Sequence, residues 1–147
     1  MIFETGIILS RPIVELALLS GYDVCDVTGA VAAARAIMAR GPSTVIATSV
    51  PAGRDLATVL VTTDGSWAAV TPRLTTPVKG AGDVLAALWL GYVLDDANTA
   101  AVALGKAVSD VYGLLERAAN EVLQELPLPT YTPANRAPRF PAAPLKL

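Results

Sequence analysis

Asp83 opens an apolar run, Val84-Leu85-Ala86-Ala87-Leu88-Trp89-Leu90, and stands directly behind the small-residue turn Gly80-Ala81-Gly82. A carboxylate so placed belongs to the first turn of a helix, with nothing bulky to block a ligand. Glycines at 80 and 82 can take backbone angles closed to other residues. The N–H groups of Gly80, Ala81, Gly82 and Asp83 are then expected to converge at a helix N-terminus. Unsatisfied amides and the positive end of the helix dipole attract an anion to such a point. A carboxylate beside an anion hole suits one chemistry well, taking a proton from a hydroxyl while phosphate charge develops next to it. Gly-x-Gly-Asp before a helix is also an ordinary loop with an Asp cap, and the turn alone leaves both readings open. Lys79 adjoins the turn, either touching a phosphate or solvated as most lysines are.

Other chemistries are excluded by what the chain lacks. Its 147 residues contain no histidine and one cysteine, Cys25. Every triad and every His-based acid–base scheme is therefore absent, an internal disulfide is impossible, and zinc is disfavoured. Cys25 reads as a bystander. Catalysis has to rest on carboxylates, backbone donors and a metal held by oxygen. The net charge of −2, with no basic cluster, gives no pull toward nucleic acid or an anionic membrane. The longest apolar run, Val84 to Leu94, is too short to span a bilayer. Met1-Ile2-Phe3-Glu4-Thr5 has no basic n-region and Glu4 interrupts it, so no signal peptide is expected, and the chain is expected in the cytoplasm.

The elements that must position these residues follow from pattern. Hydrophobic residues make up 53% of the chain but aromatics only 5%, the texture of a tightly packed α/β or helical protein. Ile7-Ile8-Leu9 reads as a buried strand, followed by a helix from Pro12 through Leu19 that stops at Gly21. Thr28 is the expected cap of a helix running from Ala30 to Arg40, closed by Gly41-Pro42. Two β-branched runs, 44–48 and 57–62, are separated by a Pro/Gly/Arg loop, and Asp64-Gly65 signals a hairpin into Trp67–Val70. An apolar helix to Leu94 follows, then a second from Thr99 to about Leu126, which Gly105 or Gly113 is placed to interrupt. From Pro127 onward the chain holds six of its eleven prolines. Residues 127–147 are thus expected to pack on the 1–126 body as an irregular tail outside the sheet. Strand–helix–strand, then a hairpin, then two helices predict an α/β fold with a mixed sheet and flanking helices.

Nearly the full length resembles the C-terminal half of the pyridoxal kinases, members of the ribokinase superfamily. Ser10-Arg11-Pro12-Ile13-Val14-Glu15-Leu16 is similar to the family's Pro-Asn-x-x-Glu-Leu segment, and Ala32 through Pro42 to its following helix with a Gly-Pro end. Val45-Ile46-Ala47-Thr48-Ser49 resembles its Val-Thr-Ser strand end, Gly80-Ala81-Gly82-Asp83 its Gly-x-Gly-Asp turn, and Arg139 through Leu147 the terminus of some members. The resemblance implies an ATP- and Mg²⁺-dependent kinase that phosphorylates the 5′-hydroxymethyl group of pyridoxal or a related B6 vitamer. It implies Asp83 as the base, the amides of Gly80, Ala81 and Gly82 as the anion hole, and Glu15 near the metal. It places Ser10, Thr48, Ser49 and the stretch Thr71-Pro72-Arg73-Leu74 along the nucleotide.

Two departures stand out. Pro12 replaces the family's Asn and Arg11 its Pro, which removes a polar contact near the phosphates. The family's first sheet strands, most of its acceptor pocket and its flap have no counterpart in the chain. A homodimer or a complementing N-terminal half is expected to cover the exposed edge. The alternatives are a truncated nucleotide-binding module without kinase activity, or another kinase of the superfamily, acting on a hydroxymethylpyrimidine or a sugar.

Overall fold

The structure, a computed structural model, describes residues 8–76, 78–95, 97–132 and 136–147, with the side chains of 8–11 excepted. The expected strand start at Ile7 lies outside the described residues. Strand β1 (Ile8–Pro12) runs parallel to β2 (Thr44–Ala52), with Ile8 opposite Thr44 and Pro12 opposite Thr48. Parallel neighbours require a crossover, and helices α1 (Ile13–Ser20) and α2 (Val27–Met38) supply it.

Helix α1 begins behind Pro12 and ends at Gly21 in the left-handed region (φ 75°), whose N–H bonds Ala17 O at 2.9 Å. Helix α2 departs from expectation. Its cap is Asp26, two residues ahead of Thr28, with Oδ1 accepting from the Gly29 amide at 2.8 Å. A Cβ at Gly29 would sit 3.3 Å from that oxygen, so this glycine leaves room for the cap. The short acidic side chain completes the helix start better than Thr28, which lies inside the first turn.

Strands β3 (Asp55–Thr62) and β4 (Gly65–Thr71) continue the sheet antiparallel. The Pro/Gly/Arg loop contracts to a two-residue turn at Gly53-Arg54, with Gly53 at φ 64°, and Pro51 and Ala52 join β2. The second hairpin turns at Thr63-Asp64, one residue before the Asp64-Gly65 signal. Gly65 already pairs with Thr62, and a side chain on it would meet the Trp67 ring at 3.2 Å.

Helix α3 (Ala81–Val93) precedes α4 (Ala100–Asn120), which Thr99 caps by accepting from the Val102 amide at 3.2 Å. Helix α4 passes unbroken through Gly105 and Gly113. It closes six residues before Leu126, where Val122 takes a left-handed conformation (φ 53°) and the Leu123 amide reaches back to Ala118 O at 2.8 Å. The tail is not wholly outside the sheet. After a short 3₁₀ turn at Leu128–Thr130, strand β5 (Ala143–Pro144) pairs with β4 opposite Trp67 and Ala68. Pro144 is tolerated because this is an edge, and the next residue, Leu145, donates to Ser66 O at 2.8 Å.

The mixed sheet, in order β1-β2-β3-β4-β5, lies between two helical layers. Alternation along the strands divides the core. Val45, Ala47, Val59 and Val61 face α1 and α2, against Leu16, Ala30, Ala34 and Ile37. Ile46, Leu60 and Ala69 face α3 and α4, against Leu85, Trp89, Leu104 and Val108. Burial on both faces explains why the strands read as continuous apolar runs. Among the described residues no helix is long and apolar enough to cross a membrane.

Candidate active site

The site begins with a break in alternation. On β2, Ala47 faces the α1–α2 layer and Thr48 the other, so strict alternation would put Val50 beside Thr48. Val50 is instead fully buried in the α1–α2 core. A β-bulge between Ala47 and Val50 accounts for this, and Ser49 in it adopts φ 59°. The extra residue lets two consecutive hydroxyl side chains, Thr48 and Ser49, line the same recess. A serine held in the left-handed region costs of order 1–3 kcal/mol, and such strain is commonly met where a site needs it.

The recess is a cavity of about 150 Å³ between the sheet and helices α3 and α4. Its sheet wall adds Thr58 from β3 and Thr71 from β4 to Thr48 and Ser49. Its opposite wall is apolar, from Val108, Val111, Tyr112 and Leu115 of α4. The end is formed by Ala81, Gly82 and Leu85, the beginning of α3. Parallel strands β1 and β2 both finish at this end of the sheet, the position where open α/β sheets place ligands.

Helix α3 starts as the cavity requires. Gly80 is its cap at φ 87°, ψ 0°, with no side chain capping it, and the first intrahelical bond runs from Val84 N–H to Gly80 O at 3.1 Å. The amides of Ala81, Gly82 and Asp83 therefore have no carbonyl partner inside the helix. Only Gly80 needs glycine for its backbone. Gly82 is helical, and a Cβ on it would meet nothing within 4 Å, so its contribution is open space on the cavity wall. At about 100° per residue, Ala81, Gly82 and Leu85 share the cavity face. Gly80 and Val84 line a second recess with Lys79, Gln124 and Leu126. Asp83 lies on neither face and is exposed.

The structure thus brings together Thr48, Ser49, Thr71, Ala81 and Gly82, with Gly80 and Asp83 adjoining. The side chain of Ser10 lies outside the described residues. Glu15 stands exposed in the first turn of α1, just past the end of β1, and does not line the cavity. Pro72 and Arg73 are exposed in the loop that follows β4, and Leu74 is half-buried there; none reaches the cavity lining. Among the described residues no cluster of three or more acidic, Cys or His side chains is poised for a metal. Sequence reasoning missed Thr58 and the α4 wall. Thr58 is flagged only by its register opposite the bulge, and the α4 residues follow the spacing of any core-facing helix.

Away from the cavity, Cys25 is exposed, and the Asp23 carboxylate, with a smaller desolvation effect, holds its thiol above the ordinary value. That favours the thiol over the nucleophilic thiolate.

No family model matches the chain. It is 37% identical over 134 residues to pyridoxal kinase PdxY of Rubrobacter xylanophilus, covering 86% of this chain and 46% of that protein. Its fold superposes on pyridoxal kinase from Entamoeba histolytica with a TM-score of 0.82 at 19% identity, covering 94% of this chain and 50% of that one. Pyridoxal kinase from Leishmania donovani in complex with ADP gives 0.81 at 22% identity, covering 94% and 52%. The layered sheet with its flanking helices has the ribokinase-like fold of these structures. Within it, the chain matches the pyridoxal kinases as their C-terminal half. It spans about half the length of the relatives it matches.

Proposed function

We propose that this chain is the nucleotide-binding and catalytic half of a cytoplasmic kinase that uses Mg-ATP to phosphorylate pyridoxal or a related B6 vitamer. The observation that carries the proposal is the arrangement around the start of α3. The cavity lies on one face of the helix, the free amides lie at its end, and Asp83 lies on another face open to solvent. In-line phosphoryl transfer needs this division, because the donor and the attacking oxygen approach the phosphoryl group from opposite sides.

ATP supplies the phosphoryl group. The residues present fit it: an apolar α4 wall suits an aromatic base, and the hydroxyls of Thr48, Ser49 and Thr71 with the α3 amides suit its polar parts. Asp83 takes the proton of the acceptor hydroxyl, and the amides of the Gly80–Gly82 turn hold the charge that develops. Glu15 offers Mg²⁺ one hard oxygen ligand, and this ion commonly takes few protein ligands beside phosphates and water. Ser10, Pro72, Arg73 and Leu74 remain assigned to the nucleotide by resemblance alone.

The acceptor side of Asp83 needs a wall that the described residues do not build. We assign it to a second copy of this chain or to an N-terminal half that complements it. The same openness favours one competing reading, a nucleotide-binding module that does not turn over. A coupled assay for ADP release from Mg-ATP, with and without pyridoxal, separates the two. Pyridoxal-dependent turnover that falls by at least about 10²-fold in Asp83→Asn, with ADP binding retained, supports the kinase. Binding without turnover, even when the partner half is added, leaves the module.

A further inference from the structure

Residues 139–142 of the tail cross α4 along one stripe. At Gly105 a Cβ would lie 3.1 Å from Pro141 Cα and 3.2 Å from both Ala142 N and Phe140 O, so glycine there admits the tail backbone. One turn on, Ser109 Oγ donates to Gly105 O at 2.7 Å and accepts from the Phe140 amide at 2.9 Å. Next, the Phe140 ring meets Tyr112 edge-on, with centroids 4.7 Å apart. The Arg139 guanidinium lies over both rings and pairs with Glu116 at 2.6 Å. The tail then hydrogen-bonds to β4, the strand that carries Thr71. Tyr112 of α4 both touches the tail and lines the cavity.

We propose that residues 139–142 are a strap that sets the position of Tyr112, and with it the width of the cavity between α4 and the sheet. Phe140 and Arg139 are thereby positioning residues for the ligand held there. The identity of that ligand rests on the nucleotide reading above, whereas the strap itself does not.

The test compares the parent chain, Phe140→Ala and Tyr131→Phe by ADP titration and by amide hydrogen exchange over residues 108–115. Phe140→Ala should weaken ADP binding about 3- to 10-fold, the range expected for losing one aromatic pair, and speed exchange over 108–115. Tyr131→Phe loosens the tail at Asp110 instead and should leave ADP affinity unchanged, while Phe140→Tyr should restore both affinity and exchange. Equal loss of affinity in Phe140→Ala and Tyr131→Phe would reveal general destabilisation and overturn the strap. So would unchanged exchange over 108–115 in Phe140→Ala. If Phe140→Ala does not fold, Arg139→Gln, which takes the cation off the Tyr112 ring, carries the same comparison. Failure of the parent chain to bind ADP defeats the nucleotide reading alone, and the exchange comparison still decides the strap.

Discussion

Asp110 accepts hydrogen bonds on one oxygen from two phenols, Tyr92 at 2.5 Å and Tyr131 at 2.6 Å, and so ties α3, α4 and the tail at a single atom. Burial, then the bond to Asp110, pushes the Tyr92 phenol up to about 12, and the same two causes raise Tyr131 further. Both phenols thus lose their protons less readily folded than unfolded. Their contribution is complete below the ordinary tyrosine value near 10 and disappears as the pH climbs through the raised values. Melting temperature should therefore stay level to about pH 10 and fall beyond it, and Tyr131→Phe should blunt that fall. A decline beginning well below pH 10 would show that another group controls it. None of this trio is apparent from sequence, because residues 18 and 21 apart meet only through the packing of three elements.

At the scale of elements, the two glycines before Asp83 have opposite roles. Gly80→Ala forces a side chain into φ 87° and should destabilise by about 1–2 kcal/mol, tilting the start of α3. Gly82→Ala should do the reverse, adding about 0.5–1 kcal/mol of stability as alanine replaces glycine in a helix. The new methyl group, however, stands on the cavity wall and should weaken ADP binding. Thermal melts and ADP titration on the two variants check both signs, and a Gly82→Ala chain that binds as well as the parent would clear that wall of any role. The turn was legible in the sequence because composition alone marks it: small residues, a carboxylate, then apolar helix. Most elements were legible for the same reason, since their periodicity and end signals agree. Most of what was not legible, the cap of α2 excepted, depended on contacts distant in sequence. Asp26 supplanted Thr28 through a local hydrogen bond that Gly29 makes room for, and α4 ran through Gly105 because the tail needs that glycine. The Thr48–Ser49 bulge shows only as a mismatch between registers, which no single strand reveals. Arg73 was offered to the site by resemblance, and it stands exposed outside the cavity lining.

For the whole molecule, the informative surface lies beyond β1. The outer side of this strand has no partner among the described residues, and α1 beside it exposes Val14 at 69% and Leu18 at 80%, with Tyr22 just past its end at 52%. Unpaired backbone next to an apolar helix face invites association. The matched structures hold about as much polypeptide again as this chain. Light scattering after size exclusion should show concentration-dependent association of the parent chain. The double variant Val14→Lys, Leu18→Lys should reduce it without lowering the melting temperature, because both residues are already solvent-facing. A strictly monomeric parent would argue that this face needs no cover.

The bulge at Ser49 leads to one more conclusion. Removing that residue would restore regular alternation, with Thr48 opposite Thr58 and Val50 still turned toward the α1–α2 core. Ser49 is thus a supernumerary letter in the hairpin, and architecture and chemistry can be edited apart at one position. A chain shortened by Ser49 should melt at or above the parent temperature yet bind ADP more weakly, a natural knock-out that keeps the scaffold whole.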